Sequence, residues 1–128
     1  MNVRNRERGA AAVEFALVVP LLLVLVLGIA EFGRAYNIQT TLSGAAREGV
    51  RAMALNNTTS AKSVAQSKAK DAAPTLNLAD SQIVVSGTAP CTSGTLVTVT
   101  ISYPMNFITS FFGPSIELKG KGVMLCNG

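Results

Sequence analysis

One stretch of the chain, residues 15–30, contains no charged residue and almost no polar atom, and it constrains the fold more than any other feature. An α-helix over this stretch is about 24 Å long, which is shorter than the roughly 30 Å hydrocarbon core of a bilayer. Extending the helix back to Ala10 brings its length to about 31 Å. The sequence therefore predicts a membrane-spanning helix in which Glu14 lies just inside the edge of the lipid.

The residues before this run are basic, since Arg4, Arg6 and Arg8 are offset only by Glu7. Positively charged flanks of membrane helices tend to stay in the cytoplasm, so we expect the N-terminus inside and the rest of the chain outside. The whole chain carries a net charge of +4, of which residues 1–9 hold +2 (three Arg minus one Glu). The remaining +2 is scattered and does not indicate nucleic-acid binding.

Three interpretations of this N-terminal segment are open. It resembles a secretory signal, with the small residues of "GIAE" offering a cleavage site before Glu31, or an uncut signal anchor. Neither gives Glu14 a purpose in lipid. The third interpretation, which we favour, is a cut after Gly9. The new amine of Ala10 would then pair with Glu14 of a staggered neighbouring helix and offset the cost of burying both charges.

Three motifs point to a known family: "RGAAAVEFALVVP", "GIAEFGR" and "AAREGVR". Together they resemble a type IV pilin signal, and more narrowly the TadE-like family of minor pilins (pseudopilins) of tight-adherence, Flp-type (type IVc) pilus systems. The resemblance covers roughly residues 4–55. From Asn56 onward no motif adds to it.

The resemblance implies a set of roles. A prepilin peptidase would cut between Gly9 and Ala10, Glu14 would guide processing or assembly, and Phe15 follows it in the family pattern. The implied partners are other pilin and minor pilin subunits, the peptidase, the inner-membrane assembly platform and membrane lipid. The implied location is the bacterial cytoplasmic membrane, single-pass, and after processing an extracellular pilus used in adhesion or secretion.

The helix should continue beyond the membrane, because no proline occurs between Pro20 and Pro74 and small or apolar residues recur at helical spacing. A helix over residues 10–55 would be about 69 Å long. We expect the stripe within residues 42–53 to pack on the chain's own distal domain.

The distal part predicts a small α+β head. "NNTT" is a polar turn, and a short helix follows it and ends at Pro74. Three strands follow, in "QIVVSG", "LVTVTISY" and "SIELKGKGVMLC". In the third strand, apolar Ile116, Leu118 and Met124 alternate with charged residues. The fold class is thus α+β, with a long N-terminal helix, a short second helix and an antiparallel sheet of about three strands.

Between the second and third strands lies "MNFITSFFGP", with four large apolar side chains: Phe107, Ile108, Phe111 and Phe112. The segment predicts a short apolar helical turn. It would serve either as a plug of the core or as a contact patch, and we favour the core.

The chain is therefore expected to have three parts: a basic leader over residues 1–9, a transmembrane and stalk helix over 10–55, and a head over 56–128. A head of this size usually needs an additional cross-link, such as a disulfide, to be stable. Cys91 and Cys126 provide one, and the bacterial exterior permits a disulfide. The bond is expected to add about 2–4 kcal/mol.

Catalytic groups are sparse. The chain has no histidine, which excludes Ser-His-Asp and Cys-His mechanisms and most zinc sites. We therefore expect no enzyme, no metal and no cofactor. Two functions remain: a minor pilin that takes part in assembling or priming a Tad-type pilus, and a bitopic membrane-anchored binding or scaffold protein that displays the head.

Overall fold

The computed structural model describes residues 3–126, so residues 1–2 of the predicted leader and 127–128 of the predicted head lie outside the described residues. In chain order the helices and strands are α1 (Val3–Ala54), α2 (Ala61–Ala72), β1 (Ile83–Ser86), β2 (Leu96–Asn106) and β3 (Ser115–Leu125). Single turns of 3-10 helix occur at Pro74–Leu76, Asp80–Gln82 and Ser110–Phe112. The predicted α+β class is confirmed, with its long helix, short helix and three strands.

Helix α1 is 52 residues long and begins at Val3, before the predicted start at Ala10. The arginines and Glu7 of the leader are good helix formers, and nothing in the leader stops the helix. Within residues 3–126, α1 is the one helix that is long and apolar enough to cross a membrane, and none of its most apolar window is buried by the rest of the chain. The chain therefore carries a single apolar N-terminal helix suited to a single-pass anchor.

The chain divides into two compact units between Arg34 and Ala35. The second unit contains the C-terminal part of α1, helix α2 and the sheet. The sheet has the order β1-β2-β3 with antiparallel pairs throughout. The alternation predicted for β2 is confirmed, since Val97, Val99 and Ile101 are fully buried.

The two helical segments of the second unit supply much of the core. Helix α1 contributes Leu42, Ala45, Ala46, Val50 and Met53, each at most 1% exposed. This confirms that the stripe within residues 42–53 packs on the chain's own head. Helix α2 contributes alanines at every fourth position, Ala61, Ala65 and Ala69. A β-carbon at Gly49 would lie 3.2 Å from that of Ala69, so small residues set the spacing between the helices.

The expectation that the segment between β2 and β3 plugs the core is wrong for three of its four large side chains. Ile108, Phe111 and Phe112 are 65%, 74% and 44% exposed, and only Phe107 packs against the core. The segment does form the predicted helical turn, at Ser110–Phe112. The exposed side chains of this turn therefore do not belong to the core of the second unit.

Candidate functional site

The predicted processing site lies inside helix α1. Gly9 is a helical residue, and a β-carbon there would meet nothing within 4 Å. Glycine in the interior of a helix is less favourable than alanine by about 0.5–1 kcal/mol. The fold of this chain therefore gives no packing reason for a glycine at this position.

Glu14 lies four residues after Ala10, so the two residues occupy one face of α1, about 6 Å apart along the helix axis. Glu14 is exposed on the surface of the chain, and its neighbour Phe15 is 71% exposed. Both side chains are thus presented to the surroundings of the helix. A positive charge at Ala10 would be within one turn of the carboxylate.

The leader charges are also on the first turns of α1. Arg4, Arg6 and Arg8 are all exposed. Arg4 and Arg8 are four residues apart and share a face, whereas Arg6 projects from nearly the opposite side. The arginines therefore surround the helix just before the apolar run, as residues in a headgroup layer would.

In the second unit, α1 lies directly on strand β3. A β-carbon at Gly120 would be 2.5 Å from the carbonyl oxygen of Leu42, and one at Gly122 would be 2.7 Å from that of Ala46. Real β-carbons do not approach other atoms so closely. Helix and strand therefore pack backbone against backbone, and only glycine fits at these two positions.

The sequence pattern did not single out these two glycines, because the alternation predicted for β3 was based on its apolar residues Ile116, Leu118 and Met124. Leu118 does pack against the core, but Ile116 and Met124 are 44% and 38% exposed. The signal was present in "LKGKGV", where glycine recurs at every second position between lysines. An inward face with no side chains indicates a close approach by another element.

The predicted disulfide between Cys91 and Cys126 is present, with Cα atoms 5.6 Å apart and both residues at least 95% buried. It joins the segment before β2 to the end of β3. The backbone nitrogen of Cys126 donates to the carbonyl of Thr95 at 2.8 Å, and Thr95 also donates its hydroxyl to the sulfur of Cys126. The bond therefore closes the sheet at the end opposite the exposed turn.

No group of three or more metal-binding side chains lies together among residues 3–126. One shallow concavity of the second unit is lined by Arg51, Ala54, Leu55, Met124 and Leu125. It has one charged side chain and no second polar group to orient a ligand, so it lacks the convergent polar groups of a small-molecule site.

A comparison with known protein families found a match to the N-terminal part of the sequence. The sequence model of the family described as TadE-like protein matches residues 9–51. The match begins at Gly9 and ends within "AAREGVR", which confirms the resemblance predicted from the motifs. It covers about a third of the 128 residues and leaves α2 and the whole sheet outside. No curated protein and no solved structure matched the chain.

Proposed function

Since residues 9–51 carry a TadE-like segment, which associates the chain with Tad pili, we propose that it is a minor pilin, or pseudopilin. It is held in the membrane by the apolar part of α1, processed by a prepilin peptidase, and incorporated as a structural subunit in the assembly or priming of a Tad-type pilus. One observation carries the proposal: the family match starts at a glycine that the fold itself does not need.

Gly9 is explained by recognition by another protein. A side chain at this position would meet only open space in the chain, so any constraint on its size comes from outside, and a peptidase pocket supplies one. Glycine also lowers the cost of unwinding the helix at the bond to be cut, because it favours the helix less than other residues do. The products are a leader over residues 1–9 and a mature chain starting at Ala10.

Processing also changes the electrostatics of Glu14. Before the cut, the carboxylate lies at the lipid edge without a nearby cation on its own face, since Ala10 is the residue one turn before it. After the cut, Ala10 carries a positive amine one turn away. A neighbouring helix in the right stagger brings a second amine to the same carboxylate, and in low dielectric that pairing favours one register over others.

Orientation follows from the leader. Arg4, Arg6 and Arg8 keep the N-terminus in the cytoplasm, so the second unit lies outside the cytoplasmic membrane. The disulfide fits this placement, because such bonds persist in oxidising compartments. The partners in this state are the prepilin peptidase, the inner-membrane assembly platform, and other pilin and minor pilin subunits. The role is structural rather than catalytic.

The N-terminus of the protein in its native membrane tests the proposal. Intact mass and N-terminal sequencing should identify Ala10 as the first residue in cells that contain the peptidase, and Met1 in cells that lack it. An N-terminus at Met1 in both would overturn the proposal and favour a bitopic scaffold that stays in the membrane and displays the head. An N-terminus at Glu31 would instead indicate simple secretion.

A further inference from the structure

The turn between β2 and β3 presents large apolar side chains to the surroundings. Phe111 is 74% exposed and Ile108 is 65% exposed, and Ile116 at the start of β3 is 44% exposed. The whole stretch from residue 81 to 116 contains no Asp, Glu, Lys or Arg. Exposed apolar side chains in a stretch without charged residues are suited to contact with lipid.

An aromatic pair connects the turn to the core of the second unit. Phe107 packs against the core, and its ring centroid lies 6.0 Å from that of Phe112, with the planes inclined at 48°. A tilted aromatic pair at this distance is a favourable contact. Phe111 is thus exposed on a 3-10 turn, Ser110–Phe112, whose neighbouring aromatic side chain Phe107 packs against the core. Inserting Phe111 into lipid therefore costs little additional conformational entropy.

Contacts between α1 and β3 show at which end of the second unit the turn lies. Three contacts advance together along both elements: the Gln39 side chain with the Lys119 carbonyl (2.6 Å), Leu42 with Gly120, and Ala46 with Gly122. Helix and strand therefore run in the same direction. The turn precedes β3, so it lies at the same end of the unit as Ala35, where the unit joins the apolar part of α1.

The length of chain between the apolar run and Ala35 is short. Ala35 is five residues after Ala30, the last residue of the charge-free run, so the two are at most about 18 Å apart even if the chain is extended. Along β3 the turn is about 17 Å from Lys119, whereas Ala35 is only about 6 Å along α1 from Gln39. With the apolar run in a bilayer, the length of the connecting chain therefore limits the Ala35 end of the second unit to about 18 Å from the end of that run.

We infer that Phe111 and Ile108 insert into the interfacial layer of the bilayer that holds the anchor, giving the membrane-resident subunit a second contact with lipid. Tyr36 is 73% exposed at the same end of the unit and adds an aromatic side chain of the kind enriched at membrane surfaces. The inference rests on the proposed single-pass anchor. The contact holds the head against the bilayer, and it must break when the subunit leaves the membrane.

Tryptophan fluorescence tests the inference, because the sequence contains no tryptophan and each variant then has one. The full chain is reconstituted in phosphatidylcholine vesicles with brominated acyl chains, which quench a nearby indole. The Phe111→Trp variant reports on the turn and Leu22→Trp reports on the anchor. Leu96→Trp is the matched control, since Leu96 is 65% exposed but lies at the start of β2, the opposite end of the sheet.

The expected result is about a twofold or greater loss of emission for Leu22→Trp and Phe111→Trp relative to unbrominated vesicles, because insertion of about 5–10 Å reaches the acyl boundary. Leu96→Trp should keep its emission. If Leu22→Trp is quenched and Phe111→Trp behaves like Leu96→Trp, the inference is overturned and the anchor stands. A blue-shifted but unquenched Phe111→Trp would overturn it too, since protein would then cover the turn. An unquenched Leu22→Trp would remove the anchor and the inference together.

Discussion

The carbonyl oxygen of Leu42 occupies the space where Gly120 would carry a β-carbon, 2.5 Å away. This places the backbone of α1 directly on the backbone of β3. A close approach of this kind joins the C-terminal part of the long helix to the sheet without any side chain in between, so the head and the end of the helix form one folded unit.

A methyl group at Gly120 tests this packing. Gly120→Ala should destabilise the head by about 1–3 kcal/mol, because helix and strand must separate to admit it. Denaturant unfolding of the full chain in detergent measures the change. Gly44→Ala is the matched control: it lies on α1, where a β-carbon meets nothing within 4 Å, and should be neutral or stabilising by up to about 1 kcal/mol. Equal effects of the two variants would contradict the close approach.

Truncation of Leu42 tests the core that the same contact creates. Leu42 is fully buried, so Leu42→Ala should cost about 2–5 kcal/mol of unfolding free energy. Leu55→Ala, at a residue 63% exposed, should stay within about 0.5 kcal/mol of the parent. The helix would not be part of the head's core if both substitutions had the smaller effect.

Removal of the disulfide should weaken the head. A Cys91→Ala, Cys126→Ala double variant is expected to lose about 2–4 kcal/mol of stability, because the unfolded chain is no longer constrained. Reductant should lower the stability of the parent and leave the double variant unchanged. Two free thiols in the exported protein, detected by mass after alkylation, would show that the bond does not form in the cell.

Enlarging the residue before the proposed cut should block processing. Gly9→Leu is expected to accumulate in the membrane as the uncut precursor, because a peptidase pocket shaped for glycine would exclude the side chain. Gly33→Leu is the control, since position 33 is equally open in the same helix. The ratio of precursor to mature mass gives the result. Normal cleavage of the Gly9→Leu variant would show that the peptidase does not select for a small residue at this position.

Neutralising Glu14 should separate insertion from assembly. Glu14→Gln and Glu14→Ala are expected to insert into the membrane as the parent does, and to be lost from assembled pili, because the charge that favours one register is gone. Glu7→Gln is the control, since position 7 lies in the leader and is absent from the mature chain. Membrane and pilus fractions are compared by immunoblot. Full incorporation of Glu14→Gln would remove the register hypothesis.

Much of the fold could be predicted because it rests on local periodicities. The charge-free run, the alternation in β2 and the polar break at residues 56–59 each predicted an element that the structure contains. The cysteine pair could be predicted as well, since only two cysteines are present. The predicted start of α1, Ala10, was too far along the chain. The leader residues have enough helix propensity to extend the helix back to Val3.

The sequence alone therefore determined the element types, an N-terminal helix long and apolar enough to cross a membrane, and the similarity of residues 9–51 to the TadE-like family. The length of the helix could be judged in advance because the rise of a helix and the thickness of a bilayer are fixed lengths. Only the tertiary structure decided which residues face one another. The glycines of β3 became an inward surface because α1 lies on them, and Phe111 is exposed because the core of the second unit is formed by other side chains. Both outcomes depend on contacts between residues far apart in the chain, and no local pattern determines which elements meet.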